Sequence, residues 1–190
     1  MNAAVVIIGN EILTGKFADE NGPFFIEQLR RIGVPLVRLA VIDDSIESIA
    51  SEVRRCSELA DVVFTTGGAG PTHDDVTFEG VARAFGVGMV QHPDLVDIMR
   101  NYGMELHDAN LRMATVPEGT ELVTHPDVGF PVVRMRNVFV LPGIPKLVRS
   151  KFAVVEPLLK GTPLVTARVY VDAWESAIAG KLNPIVARFP

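Results

Sequence analysis

The chain has 190 residues, of which 48% are hydrophobic, enough for one substantial core with a small lobe beside it. Its 18 basic and 23 acidic residues give a net charge of −5 without any Lys/Arg cluster, so nucleic acid is an unsuitable partner. The longest apolar runs are far shorter than the roughly 20 residues of a membrane span, and no signal peptide is visible, so we expect a cytoplasmic protein that does not bind a membrane.

The first part of the chain alternates between strand and helix patterns. A near-continuous apolar run, Ala3–Ile8, predicts a strand that is buried on both faces of a parallel sheet. The next helix is predicted to begin with Asn21 as its N-cap, and a strand at 34–42 follows it. Asp44 or Ser45 is then expected to cap a second amphipathic helix.

A third strand, 61–66, runs into a glycine-rich segment and a helix that ends at Gly86. The apolar residues of this helix recur at helical spacing: Phe78, Val81, Ala82 and Phe85. Three consecutive β-α units predict an α/β fold with a doubly wound, mostly parallel sheet.

The second part of the chain is less regular. Residues 92–113 have a polar helical pattern, and the stretch 92–128 is predicted to form a lid or small lobe. Strands are expected at 122–126 and at 131–141, the second one bent or paired around Arg136-Asn137, before a helix at 146–159.

The last predicted elements are a strand at 164–172 and a helix at 174–189. A final β-α step without a returning strand leaves a sheet unfinished, so we expect the natural protein to continue beyond Pro190. The only cysteine, Cys56, has no partner for an internal disulfide and no neighbouring metal ligands, which indicates a thiol that packs a helix.

Chemistry is concentrated where strand 61–66 meets Gly67, Gly68 and Gly70. In open α/β sheets, ligands bind in the crevice at the carboxyl ends of the strands. Glycines let the backbone approach a ligand closely, and the following helix offers unpaired N–H groups and the positive end of its dipole. We therefore predict a phosphate-binding turn here.

Two adjacent carboxylates, Asp74 and Asp75, are predicted to lie in the first turn of the helix after these glycines. They would repel a phosphate unless they hold a divalent metal ion through oxygen ligands. A structural alternative stays open, in which Asp74 caps the helix and Asp75 complements its dipole.

Two further loops are expected at the same edge of the sheet. Asn10 and Glu11 follow the first strand, and Pro142 and Gly143 follow a later one. Two familiar phosphate motifs are excluded by spacing: the segment 9–16 does not match a P-loop, and the glycines of 67–70 do not match a dinucleotide-binding fingerprint.

The sequence resembles a known family at three motifs, which are GNEILTG at 9–15, GGAGPTHDDVTFEGVA at 67–82 and NVFVLPGIP at 137–145. It is similar to the molybdopterin-binding-like domain of the competence/damage-inducible protein A family, and still more to that of eukaryotic FAD synthases. The segment at 128–133, VGFPVV, departs from the first group and favours the second.

The resemblance implies a three-layer α/β/α domain over the whole chain, 1–190, and members that hydrolyse the diphosphate of ADP-ribose or FAD. It implies that Asp74, Asp75 and Glu11 are catalytic or metal-binding carboxylates. The implied ligand-binding residues are Asn10, Asn21, Gly67, Gly68, Gly70, Pro71, Thr72, Pro142 and Gly143. The expected cofactor is magnesium, manganese or cobalt, with potassium as a further candidate cation.

Three functions are compatible with these observations. The first is a metal-dependent nucleotide pyrophosphatase acting on ADP-ribose or FAD. The second is a non-catalytic domain that binds molybdopterin or a nucleotide, and the third is an enzyme that adenylylates molybdopterin. In each case the partner is a small nucleotide or pterin, and a homo-oligomer is expected.

Overall fold

The computed structural model describes residues 1–163 and 167–188. Six of its strands form the main sheet and two form a small antiparallel one. In chain order the strands are β1 (Ala3–Ile8), β2 (Leu36–Ile42), β3 (Val62–Thr66), β4 (Met89–Gln91), β5 (Thr115–Pro117), β6 (Glu121–His125), β7 (Val128–Met135) and β8 (Val138–Leu141).

Eight α-helices connect and flank these strands within the described residues. They are α1 (Asn10–Leu13), α2 (Asn21–Arg31), α3 (Ile46–Leu59), α4 (Thr77–Phe85), α5 (Pro93–Asn101), α6 (Asp108–Arg112), α7 (Pro145–Val155) and α8 (Glu175–Val186). One 3-10 turn, Glu156–Leu158, directly follows α7.

The main sheet has the strand order β2-β1-β3-β8-β7-β6. The first four strands in this order are parallel, whereas β7 is antiparallel to both β8 and β6. The expected mostly parallel α/β sheet is therefore confirmed. The predicted pairing around Arg136-Asn137 is also confirmed, since β7 and β8 form a hairpin there with Arg136 at a φ of 55°.

The sheet lies between two helical layers, and the side chains of β1 show this directly. Ala4, Val6 and Ile8 belong to the core under α3 and α4, and the alternate residues of β1 belong to the core under α2 and α7. Successive side chains of a strand point to opposite faces, so a strand that is buried throughout requires cover on both sides. The three-layer α/β/α architecture follows.

Helix α3 begins and packs as its sequence predicts. The Ser45 side chain accepts a hydrogen bond from the Ser48 N–H at 3.2 Å, so Ser45 is the N-cap. Cys56 is fully buried on the inner face of this helix, and its burial raises the pKa of the thiol to about 12. The prediction of an inert, helix-packing cysteine is confirmed.

The stretch 92–128 contains more structure than its polar helical pattern indicated. Helices α5 and α6 lie between β4 and β5, which pair with each other. Leu95 and Met99 of α5 are fully buried in the same core as β1, so this lobe packs directly on the main sheet.

Two sequence-based expectations about the secondary structure are wrong. Helix α4 begins at Thr77, so Asp74 and Asp75 lie in the preceding loop and not in its first turn. The Thr77 N–H donates to the Gly68 carbonyl at 2.9 Å, and this contact holds the start of the helix two residues beyond Asp75.

The second error concerns the strand expected at 164–172. Residues 167–172 are not in a strand, and 164–166 lie outside the described residues. Val169 and Tyr170 are more than four-fifths exposed, so the apolar alternation here has no sheet beneath it. The final helix is α8, which contains Pro184, and Phe189 lies outside the described residues. Within 1–163 and 167–188, no helix is both long and apolar enough to cross a membrane.

Gly80 provides a test of the packing between α3 and α4. A Cβ atom at Gly80 would lie 2.3 Å from Cγ2 of Ile49 on α3. In a helix Ala is favoured over Gly by about 1 kcal/mol, whereas overpacking costs about 1–3 kcal/mol. We expect Gly80→Ala to lower the free energy of unfolding by up to about 2 kcal/mol in urea denaturation. Gly180→Ala in α8, which meets nothing within 4 Å, is the matched control and should not be destabilising. Equal effects of the two substitutions would contradict the close helix contact.

Candidate functional site

A cleft of about 650 Å³ opens at the carboxyl ends of β1, β3 and β8. Three loops line it, one after each of these strands. Their lining residues are Glu11, Ile12, Phe17, Ala18, Glu20, Asn21, Gly67, Gly68, Ala69, Gly70, Asp75, Pro142, Gly143, Ile144 and Pro145. The convergence predicted from the sequence is therefore present, because parallel neighbouring strands end at one edge of the sheet.

The glycine turn after β3 requires its glycines for close packing. Gly67 and Gly68 have φ values of 102° and 59°, which side chains disfavour. A Cβ atom on Gly67 would lie 2.0 Å from the carbonyl oxygen of Ile8. Thr77, which is buried, donates its hydroxyl to the Gly67 carbonyl at 2.8 Å and thereby fixes the turn from the other side.

This turn also presents free backbone donors. The Gly67 N–H donates to the Leu141 carbonyl, but those of Gly68, Ala69 and Gly70 have no acceptor in the described part of the chain. Successive unpaired N–H groups form a concavity that attracts anions. The turn can therefore bind phosphate through the backbone alone.

Asn21 connects the three loops through a single side-chain amide. Its Nδ2 donates to the Thr66 hydroxyl at 3.0 Å and to the Gly143 carbonyl at 2.8 Å. The Thr66 hydroxyl in turn donates to the Pro142 carbonyl at 2.8 Å. The α2, β3 and β8 segments are thus joined where the cleft begins.

The expectation that Asn21 caps α2 is wrong. Helix α2 begins at Asn21 itself, and the side chain of Asp19 accepts hydrogen bonds from the backbone N–H groups of Asn21 and Gly22, at 2.9 and 3.0 Å. Since Asp19 satisfies these helix donors, the amide of Asn21 is available for the cleft.

Asp74 and Asp75 have different surroundings. Asp75 lines the cleft, and its carboxylate accepts hydrogen bonds from both the N–H, at 2.8 Å, and the hydroxyl of Thr72. Asp74 is 65% exposed and does not line the cleft.

The segment between β1 and α2 contributes two carboxylates to the cleft, Glu11 and Glu20. Glu11 lines the cleft, whereas Asn10 is exposed and donates to the side chain of Asp44 outside it. Pro71 and Thr72 are also exposed and lie beside the cleft without lining it. The structure thus brings together Glu11, Asn21, Gly67, Gly68, Gly70, Asp75, Pro142 and Gly143, and leaves Asn10, Pro71, Thr72 and Asp74 at its margin.

The carboxylates fit a divalent metal ion only in part. Among the described residues, no group of three or more His, Cys, Asp and Glu side chains is placed to hold a metal. Glu11 and Asp75 nevertheless face one cleft, and Mg²⁺ is commonly bound by one or two carboxylates together with substrate phosphates and water. This donor set is suited to a metal ion that binds with a diphosphate ligand.

The sequence interpretation missed the apolar part of the cleft. Ile12, Phe17 and Ile144 line it, and Phe17 and Ile144 are about 60% exposed. Glu20 is also at the wall, with Arg149 of α7 3.7 Å away. The available signal was the presence of apolar residues in predicted loops at one edge of the sheet, because ligand clefts are lined mainly by apolar side chains.

These features define a three-layer α/β/α domain with a small-molecule cleft at the carboxyl ends of its central parallel strands. A sequence profile described as "Probable molybdopterin binding domain" matches residues 4–161. The chain belongs to this family, the MoCF biosynthesis domains.

Individual relatives agree with this assignment. A protein from Archaeoglobus fulgidus is 35% identical over the whole chain and 82% of its own length. A protein named "Probable FAD synthase" from Caenorhabditis briggsae is 33% identical over 98% of this chain but only 41% of its own length. The crystal structure of the protein CinA from Thermoplasma acidophilum, described as of unknown function, has a TM-score of 0.73 and 31% identity, covering 83% of this chain and 98% of that one.

The amide of Asn21 generates a second prediction. Asn21→Ala removes two hydrogen bonds to buried or half-buried acceptors, so we expect the free energy of unfolding to fall by about 1–3 kcal/mol. Asn101→Ala, at the exposed end of α5, is the control and should change it by less than about 0.5 kcal/mol. Urea denaturation followed by circular dichroism measures both. A variant at Asn21 as stable as the control would show that this amide does not hold the loops together.

Proposed function

We propose that this chain is a metal-dependent nucleotide pyrophosphatase that cleaves the diphosphate of a dinucleotide such as ADP-ribose or FAD. The observation that carries the proposal is the position of the glycine turn in one cleft with two carboxylates, Glu11 and Asp75. The turn offers backbone N–H donors to phosphate oxygens. The carboxylates would hold a metal ion and accept the proton of the attacking water, which hydrolysis requires in addition to substrate binding.

The glycine turn holds the diphosphate in this proposal. The N–H groups of Gly68, Ala69 and Gly70 donate to its nonbridging oxygens. Because these donors belong to a rigid backbone, they are already oriented before the substrate binds. This arrangement compensates for the net negative charge of the chain without a lysine or arginine in the cleft lining.

The carboxylates have separate roles. Asp75 is oriented by Thr72 and, with the substrate phosphates, would hold a magnesium, manganese or cobalt ion. When bound, such an ion neutralises phosphate charge and polarises a phosphoryl oxygen. Glu11, whose carboxylate has no hydrogen-bond donor from a described residue, accepts the proton of the attacking water. The water oxygen bonds to one phosphorus and the bridging P–O bond to that phosphorus breaks. The bridging oxygen leaves with the other phosphate, so the products are AMP and a second monophosphate, which is ribose 5-phosphate from ADP-ribose or FMN from FAD.

A binding domain without catalysis is the second candidate. It is favoured by the absence of a three-ligand metal group among the described residues and by the exposure of Asp74. This alternative predicts saturable binding of molybdopterin or a nucleotide, seen as a thermal shift, without any product. An adenylyltransferase would instead consume ATP only when molybdopterin is present.

The pyrophosphatase proposal is tested by AMP release from ADP-ribose and from FAD with magnesium, manganese or cobalt. Glu11→Gln should lower kcat by about 100-fold or more, because it removes the proton acceptor. Asp75→Asn should raise the metal concentration needed for half-maximal activity, and Asp74→Asn should do so less, because it lies outside the cleft lining.

Asp127→Asn is the matched control, since this aspartate is 90% exposed in the β6–β7 turn, and it should leave the rate unchanged. Failure to release AMP with every metal would contradict the proposal and leave the binding domain. Equal effects of Asp74→Asn and Asp75→Asn would contradict the separate roles assigned to them.

A further inference from the structure

A second cavity, of about 240 Å³, adjoins the cleft and has no role in the proposed hydrolysis. Ala69 and Pro142 line both spaces, so a ligand held at the glycine turn can extend into this cavity. Its wall is almost entirely apolar, and its main contributors are Phe78, Met104, Met113, Phe130, Leu147 and Lys151.

The dimensions and lining of the cavity suit a flat ring. An apolar cavity of about 150 Å³ holds a benzene ring, so this one has room for a larger planar ring system. Aromatic and thioether side chains pack well against the faces of such rings, and both kinds are present here in Phe78, Phe130, Met104 and Met113.

Lys151 is the one charged residue in this lining, and it is 8% exposed. Its Nζ donates to the carbonyl oxygens of Phe130 and Pro131 on β7. An ammonium group has three N–H donors. Carbonyl oxygens accept from two of them, and the Phe130 ring centroid lies 5.3 Å from Nζ, so the third has no oxygen acceptor among the described residues. Burial lowers the pKa of Lys151 to about 8, so the group is still mainly cationic near pH 7.

A buried cation in an apolar wall is unfavourable unless its donors are satisfied. The two carbonyls satisfy Lys151 incompletely, and an acceptor on a ligand in the cavity completes the set. A carbonyl oxygen at the edge of a ring supplies such an acceptor. At the corresponding position adenine carries an amino group, which is a donor, and the acceptors of adenine are ring nitrogens at other positions.

We propose that this cavity binds a planar heteroaromatic ring with a carbonyl oxygen at its edge, which accepts a hydrogen bond from Lys151 Nζ. The inference rests on the proposed function for the position of the phosphates, and it assigns the site's preference between nucleotide rings. Oxopurine and flavin rings carry this carbonyl, and adenine does not.

The test is direct binding of mononucleotides, measured by titration calorimetry with magnesium present. Inosine monophosphate and AMP are a closely matched pair, because their purine rings differ only at the 6-position, a carbonyl oxygen or an amino group, and at the adjacent N1, which carries a hydrogen in the first and accepts one in the second. Wild-type protein should bind inosine monophosphate about tenfold more tightly than AMP, the effect of one hydrogen bond to a charged group. FMN separates a flavin preference from an oxopurine preference, since it carries the carbonyl on a larger ring.

Two variants locate the effect. Lys151→Met keeps an unbranched side chain that is one atom shorter and removes the donor, so the preference over AMP should disappear. This change also leaves two carbonyl groups of β7 without a donor, which destabilises the fold. A second variant, with its substitution at a different residue, therefore tests the cavity independently of that effect. Leu147→Trp fills the cavity from a residue that is 42% exposed, and it should weaken binding of every nucleotide at least tenfold. Thermal unfolding and circular dichroism establish that each variant is folded.

Equal affinities for inosine monophosphate and AMP in the wild type, or unchanged affinities in Leu147→Trp, would overturn the inference, as would a lack of any mononucleotide binding. These outcomes are distinct from failure of the proposed function. A protein that discriminates between the two rings but releases no AMP retains the ring site and loses the pyrophosphatase. One that cleaves FAD with the same KM in Leu147→Trp retains the pyrophosphatase and loses the ring site.

Discussion

The burial of β3 at the centre of the sheet determines the geometry of the site. All five of its residues are buried, and β1 and β8 flank it in the same direction. Its carboxyl end must therefore open between two other loops, and the chain can turn there only by passing close to Ile8. The steric requirement for Gly67 is a consequence of sheet packing, and the same lack of a side chain leaves the backbone donors accessible to a ligand.

In the proposed function, this arrangement lets a chain with a net charge of −5 present a site for an anion. Backbone N–H groups supply a positive potential that does not appear in a count of charged side chains. The nearby carboxylates restrict the kinds of anion that can bind. A monovalent carboxylate ligand would gain little from a cleft with Glu11 and Asp75, whereas a diphosphate with its metal ion gains from both kinds of group.

The sequence predicted the fold well because the evidence was local. The apolar run of β1, the cap at Ser45 and the left-handed Gly86 after α4 each depend on a few adjacent residues. The wrong predictions concern features of the structure that are determined by residues far apart in the sequence. Asn21 is a residue type that often caps helices, but the side chain of Asp19 accepts the hydrogen bonds of the first helical N–H groups. The amide of Asn21 is therefore left to bond with Thr66, 45 positions away.

The site was predicted in the same uneven way. Its glycine turn and Glu11 were found from the rule that strand ends converge, yet the start of α4 was placed too early because the bond from Thr77 to Gly68 is a tertiary detail. No pattern in the sequence indicated that Lys151 lines a cavity. A lysine among apolar residues on a helix is usually a solvated side chain, and only the fold shows that this one is turned inward beneath β7.

The hydrogen bonds of Asn21 bear on how tightly the cleft can bind. Loops that are separately mobile must be ordered when a ligand arrives, and the loss of their conformational entropy weakens affinity. Here the amide of Asn21 already joins the start of α2 to Thr66 of β3 and to Gly143 in the loop after β8. Much of that entropy is lost during folding, so the cleft is preorganised. A ligand that binds there loses less affinity to the ordering of the loops than it would in a cleft with separately mobile loops.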